Sequence, residues 1–159
     1  MAILHIRTVL ETHEARSVGT DHQIDTYFNV NHGRLKLREG NIENNLIHYV
    51  RENQDGPKQS KVLLYKSEPE SQLKAVLTGA MGVLTVVDKQ REIYFIDNVK
   101  FHLDTVEGLG TFVEIEAIDT DGSIGQERLQ EQCENYMSLF GIAEADLVSV
   151  SYSDLLASS

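Results

Sequence analysis

Glu114 and Glu116 stand two residues apart in the run Thr111-Phe112-Val113-Glu114-Ile115-Glu116, where charged or aromatic positions alternate with aliphatic ones. A period of two is the period of a strand, so both carboxylates fall on one face, about 7 Å apart. Upstream, Lys100, His102 and Asp104 alternate with Phe101, Leu103 and Thr105, and Glu107-Gly108-Leu109-Gly110 between the two runs carries turn chemistry. Val99 to Asp119 therefore reads as a hairpin that brings Asp104 across from the two glutamates. Three carboxylates are hard oxygen donors of the kind that hold a divalent cation. The plainer alternative is ordinary surface charge on a wetted sheet face.

A second set of residues points to an anion. Arg34, Lys36 and Arg38 alternate with Leu35 and Leu37 and share a strand face, and eight of the 14 Lys and Arg residues (these three with Arg51, Lys66, Lys89, Arg91 and Lys100) lie in segments that read as strands. The net charge of −11 argues against generic nucleic-acid binding, which needs a basic surface. An acidic chain with base concentrated on its strands suits a small, highly charged anion instead. If those bases line a lumen, they repel one another when it is empty, so internal acids, a bound anion or both must accompany them. Asp104, Glu114 and Glu116 are the acids on offer.

The elements that would position these groups follow in chain order. Ile3 to His13 carries a helical stripe at Ile3, Ile6, Val9 and Leu10, ended by Gly19 and Asp21. Gln23 to Val30, Arg34 to Glu39, Asn44 to Asn53 and Ser60 to Ser67 read as strands, with turns at Asn31-His32-Gly33 and Gln54-Asp55-Gly56-Pro57. Pro69 opens a helix through Leu77 that Gly79 and Gly82 end. Val83 to Val87 and Arg91 to Ile96 are strands around Asp88-Lys89-Gln90. After the hairpin, Ile124 to Phe140 is the strongest helix; Gly141 stops it, Ala143 to Leu147 suggests a further helical turn, and Ser151 to Leu156 closes the fold. The expected class is α+β: an antiparallel sheet that curls into a barrel with a polar lumen, its apolar outside covered by helices.

Length and composition are compatible with that. The 159 residues are 41% hydrophobic, enough for a real core, and contain no run of about 18 apolar residues. Met1 to Arg7 lacks the arrangement of a secretory signal, so a cytoplasmic location and no membrane partner are expected. The single Cys133 sits among acids and reads as a packing residue. His22, His32 and His48 read as surface positions, whereas His102 shares the face of Asp104. Tyr27 and Tyr49 read as packing residues with satisfied hydroxyls.

Four segments in order carry a resemblance: Gln23-Ile24-Asp25-Thr26-Tyr27-Phe28, Gly33-Arg34-Leu35-Lys36-Leu37-Arg38, Lys89-Gln90-Arg91, and His102-Leu103-Asp104-Thr105-Val106-Glu107-Gly108-Leu109-Gly110-Thr111-Phe112-Val113-Glu114-Ile115-Glu116. Over roughly Asp21 to Leu156 the chain resembles the CYTH family of class IV adenylyl cyclases, thiamine triphosphatases and inorganic triphosphatases, which share a triphosphate-binding tunnel. The resemblance implies that Lys36, Arg38, Arg51, Lys89 and Arg91, and more weakly Lys66, hold phosphate oxygens. It implies that Lys89 and Arg91 carry catalysis and that Asp104, Glu114 and Glu116 hold Mg²⁺ or Mn²⁺. It also places one strand as ending in Lys89 and Arg91 and a second as beginning near Ile93, and it lets Tyr152 and Ser153 cap the tunnel or pack against it.

Members of the family usually begin with a strand bearing Glu-x-Glu-x-Lys, and this chain has no such segment. The barrel is therefore expected to be one strand short, with a weakened metal site and an unpaired edge that favours a homodimer. The expected organisation is a single CYTH-like domain over 1–159, with a helix in 1–14, barrel strands and one inserted helix in 21–119, and helices in 122–156. The implied function is conversion of ATP to cyclic AMP and pyrophosphate. The alternatives are hydrolysis of tripolyphosphate or thiamine triphosphate, and binding of a polyphosphate or nucleotide without turnover.

Overall fold

Among the described residues, seven segments join one antiparallel sheet and three form helices, of which the first and last bury residues against it. The computed structural model describes residues 3–51 and 60–142, with Arg51 and Ser60 described as backbone alone. In chain order the elements are α1 (Ile3–Thr12), β1 (Arg16–Phe28), β2 (Arg34–Glu39), β3 (Asn44–Arg51), β4 (Ser60–Lys66), α2 (Leu73–Met81), β5 (Val83–Ile96), β6 (Val99–Val106), β7 (Gly110–Ala117) and α3 (Gln126–Phe140). The spatial order is β4-β3-β2-β1-β5-β6-β7. Every neighbouring pair is antiparallel, and β1 runs beside β5 from Arg16↔Phe95 to Phe28↔Val83.

The sheet is curled into a half-barrel. Glu43, in the turn between β2 and β3, receives a 2.8 Å hydrogen bond from Lys100 on β6. Three strand spacings separate β2 from β6, about 14 Å on a flat sheet, so only curvature toward one another lets these side chains meet. Because side chains alternate, the curl divides each strand's residues between a convex and a concave face.

The convex face carries the helix-covered apolar cluster, and a second one of Tyr27, Ile47, Tyr49, Val87 and Val106 lies on the concave face. Val99, Phe101 and Leu103 of β6 pack with Ile6 and Leu10 of α1 and Phe140 of α3 into one buried cluster, flanked by Val113, Ile115 and Tyr136. Phe101 is the centre of it, with edge-on ring contacts to Tyr136 at 4.9 Å and Phe140 at 5.6 Å. Truncating fully buried Leu10 to Ala would cost about 2–5 kcal/mol and detach α1. Arg7 adds a forked pair to Glu92 on the convex side of β5, at 2.8 and 2.6 Å. α3 ends in a Schellman arrangement, with Gly141 at φ 74 and Ile142 N–H donating to Met137 O at 2.9 Å. Among the described residues, no helix is long and apolar enough to cross a membrane.

Several boundaries differ from the sequence reading. β1 begins at Arg16 rather than near residue 21, because Glu14 turns the chain out of α1 at φ 56 and a bulge between Ser17 and Gly19 lets the polar start of the strand pair with β5. β5 is a single strand rather than two interrupted at Asp88-Lys89-Gln90 or near Ile93. Lys89 and Gln90 pair on both sides, Lys89 with Gln23 and with Val106, and neighbouring strands supply partners for the charges of Asp88 and Lys89. α2 starts at Leu73 rather than Pro69 and contains Gly79. Among the described residues the sheet is open, with β4 and β7 at its edges. The expected turn at 54–57, the helical turn at 143–147 and the closing segment with Tyr152 and Ser153 lie outside the described residues.

Candidate functional site

Asp25, in the middle of β1, is the hub of the concave face. Its fully buried carboxylate accepts a fork from Arg38, with Nε to Oδ1 and Nη2 to Oδ2 both at 2.9 Å, together with a 2.5 Å bond from Lys89 Nζ. Lys36 Nζ lies 3.8 Å from Oδ2. The strand register forces this convergence: Asp25 is opposite Arg38 on one side and Val87 on the other, which leaves Lys89 two residues further along β5 on the same face. Burial pushes the Asp25 carboxyl upward, but the charges of Arg38, Lys36 and Lys89 outweigh it and hold the group well below the usual carboxylate range.

The two lysines are shifted downward as well, which for them is toward the neutral form. Lys36 is brought down to about 7, first by burial and then by Arg38, with Asp25 opposing. Its ammonium lies over two rings, 5.6 Å from the Tyr27 centroid and 5.1 Å from that of Tyr49. Lys89 is brought down to about 8 by burial, Asp25 opposing, with further lowering from Arg91 and Arg38. Four cations in so small a space are tolerable only because acids are interleaved with them.

Asp104 is the second such acid. It faces Arg91 across the β5–β6 register and takes its fork at 2.8 and 2.7 Å, both groups being buried. Beside it, His102 Nδ1 lies 3.3 Å from Glu114 Oε2. Burial and then Arg91 lower the His102 pKa, which favours the neutral ring. His102 Nε2 and Gln23 Oε1 are buried with no partner among the described residues. Groups of this kind cost about 1–3 kcal/mol each when unsatisfied; Gln23 Oε1 accepts, and so does His102 Nε2 when Nδ1 donates, so a hydroxyl or a water rather than a phosphate oxygen is the partner they call for.

The residues singled out from sequence fall into three groups. Lys36, Arg38, Lys89, Arg91 and Asp104 converge on the concave face. Glu114 joins them through His102, while Glu116, opposite Lys100 in the register, is exposed at the rim. Arg51 and Lys66 occupy positions with concave-face parity on β3 and β4; Lys66 is exposed, and the side chain of Arg51 lies outside the described residues. Sequence reasoning gave no role to Asp25, Gln23 or Glu43, and counted Lys100 only among the strand bases. The signal for Asp25 was present in the requirement that a basic lumen contain acids: Asp25 alternates with Gln23 and Tyr27, with Asp21 the other acid of that parity.

Asp104, Glu114 and Glu116 do not assemble a ready metal centre. Asp104 is engaged by Arg91, and among the described residues no three His, Cys, Asp or Glu side chains are grouped to hold an ion. Among the described residues, four cationic side chains on the concave face are held by Asp25 or Asp104, two of them guanidinium forks suited to phosphate oxygens.

Comparison with known proteins bears on the family and the fold. The family model for the CYTH domain matches residues 3–152. No curated protein matches the chain. Among solved structures, the PH1012 protein of Pyrococcus horikoshii OT3 is similar at 25% identity, covering 98% of this chain and 94% of that one with a TM-score of 0.79. A conserved hypothetical protein of Pyrococcus furiosus is similar at 21% identity, with coverage of 98% and 94% and a TM-score of 0.80. A protein of Vibrio parahaemolyticus described as a "putative adenylate cyclase" is similar at 21% identity, with coverage of 96% and 90% and a TM-score of 0.73.

Proposed function

Because this chain belongs to the CYTH family, whose members bind triphosphate substrates and are generally metal-dependent, we propose that it is an adenylyl cyclase of the class IV type, converting ATP to cyclic AMP and pyrophosphate. The observation that carries the reading is the convergence of Lys36, Arg38, Lys89 and Arg91 on one concave face, each held by Asp25 or Asp104. In this reading those four bases take the oxygens of the triphosphate chain, and Lys89 and Arg91 oppose the negative charge that builds on departing pyrophosphate as the ribose 3′ hydroxyl attacks the α-phosphorus. The cation would be Mg²⁺ or Mn²⁺, with Glu114 and Glu116 as its oxygen donors from the protein. It would neutralise phosphate charge.

A second reading, a module that holds a polyphosphate or nucleotide without turnover, is favoured by the Asp104 carboxylate being committed to Arg91. Incubation with ATP, tripolyphosphate or thiamine triphosphate plus Mg²⁺ or Mn²⁺, followed by product analysis, separates the outcomes. Cyclic AMP supports the cyclase; orthophosphate would make the protein a triphosphate hydrolase instead. Tight binding without product supports the module, and neither binding nor product rules out all three.

A further inference from the structure

The turn between β2 and β3 is built to deliver one carboxylate to the basic face. Asp21, fully buried on β1, accepts the backbone N–H groups of Ile42 and Glu43, both at 2.9 Å. Gly40 lies against that carboxylate so closely that a Cβ there would come within 2.6 Å of Oδ1. Asn44 brackets Gly40, accepting from its N–H at 3.2 Å and donating to its carbonyl at 2.9 Å. Asn41 ties the same turn back to β1 by accepting from His22 N–H at 2.7 Å. The backbone before Glu43 is thus fixed from several directions.

What this scaffold holds in place is the Glu43 side chain, laid across the curl. Glu43 Oε2 accepts from Lys100 Nζ at 2.8 Å, Oε1 accepts from Gln23 Nε2 at 3.0 Å, and Arg38 Nη1 lies 3.9 Å from Oε1. An acid needed only to neutralise Arg38 would be redundant, because Arg38 already has its fork to Asp25. Lys100 has no other ion pair of this kind among the described residues, and it stands on the strand that carries His102 and Asp104. A carboxylate seated between a guanidinium and an ammonium occupies the position that a phosphoryl oxygen would take to engage both.

We propose that Glu43 is an internal competitor for the anion: it occupies the position between Arg38 and Lys100, and a polyphosphate must displace it to gain both bases. The inference rests on the triphosphate-binding reading above and adds a residue that lowers affinity by design of the fold. Lys100 becomes a ligand-binding base that is masked in the empty protein. Burial opposes ionisation of Glu43, but Lys100 and then Arg38 hold its pKa at about 2, so the competing charge is present throughout the neutral range.

The test is tripolyphosphate binding measured by titration calorimetry without metal, on the parent, Glu43→Gln, Glu43→Ala and Arg38→Ala. Glu11→Gln, on the exposed side of α1, controls for the loss of one negative charge. The expected result is binding at least about fivefold tighter in the folded Glu43 variants, from removal of a charge-assisted contact that the ligand must otherwise break, with Glu11→Gln unchanged. A folded Glu43 variant that binds as the parent does, or more weakly, overturns the proposal and leaves Glu43 as a structural tie. If Glu11→Gln gains as much as Glu43→Gln, the effect is net charge and the proposal also fails. Should neither the parent nor any variant bind tripolyphosphate, the failure lies in the triphosphate reading itself; binding that is lost in Arg38→Ala but unmoved by Glu43→Gln sinks only the role of Glu43.

Discussion

Arg38 and Asp25 face each other across the β1–β2 register and are joined by two parallel hydrogen bonds of 2.9 Å, and the same carboxylate also holds Lys89 and stands beside Lys36. One acid thus keeps three bases together in a space where burial alone would favour the neutral form of the two lysines.

Replacing Asp25 with Asn keeps the shape of that hub and removes its charge. Three bases, two of them buried, then face one another, and stability should fall by about 3–5 kcal/mol, the cost of breaking a buried ion pair. Tripolyphosphate should raise the melting temperature of Asp25→Asn by more than that of the parent, because the anion supplies the lost countercharge. Equal shifts in the two proteins, read by thermal melts with and without ligand, would show that the anion binds elsewhere.

Arg38→Ala and Arg91→Ala each remove a guanidinium fork from the concave face. Tripolyphosphate binding should weaken by about 1.5–3 kcal/mol in each, the range for hydrogen bonds to charged groups. Titration calorimetry that found both variants as tight as the parent would refute the basic bay as the anion site.

The pH dependence follows from Lys36 and Lys89, held down to about 7 and about 8. Ordinary lysines titrate near about 10.4. Between these values the unfolded chain binds more protons than the folded one, so stability of the ligand-free protein should rise with pH across that window and be lowest below about 7. An anion reverses the preference by stabilising the charged lysines. Binding of tripolyphosphate near pH 8.5 should therefore take up protons, seen as a dependence of calorimetric enthalpy on buffer ionisation enthalpy, and Lys36→Met should reduce that uptake.

The acids of the β6–β7 hairpin should separate into two kinds. Glu114→Gln and Glu116→Gln should fold normally and lower Mn²⁺ affinity, measured by paramagnetic relaxation in the presence of tripolyphosphate. Asp104→Asn should instead cost about 3–5 kcal/mol of stability, because it leaves Arg91 buried beside a neutral amide. Unchanged Mn²⁺ affinity in both glutamate variants would reassign them to charge balance at the rim.

Local alternation was sufficient to read the hairpin of Glu114 and Glu116 and the shared face of Arg34, Lys36 and Arg38, because a strand's faces follow from its own residues. It failed for β5, where Asp88-Lys89-Gln90 looks like a turn in isolation. The segment is extended because β1 and β6 pair with it and Asp25, 64 positions before Lys89, receives that lysine; none of these partners is visible in the local run. Asp25 itself looked like one polar residue in a mixed strand. Its role depends on the order β2-β1-β5, which no local pattern states. Glu43 lies in a turn, where an acid is unremarkable until the curl brings Lys100 to it.

The two rings that flank Lys36 give the bay an optical signature. The chain has six tyrosines and no tryptophan, so its near-ultraviolet emission arises from tyrosine alone. Tyr27 and Tyr49 are buried beside the lysine that the anion is expected to engage, whereas Tyr65 is largely exposed on the edge strand and Tyr94 and Tyr136 lie on the convex side. Occupation of the bay should change the emission of those two rings with no indole to mask it. The unlabelled protein then serves as its own fluorescent titrant, and Tyr49→Phe, set against Tyr94→Phe, tells which part of the signal comes from the bay.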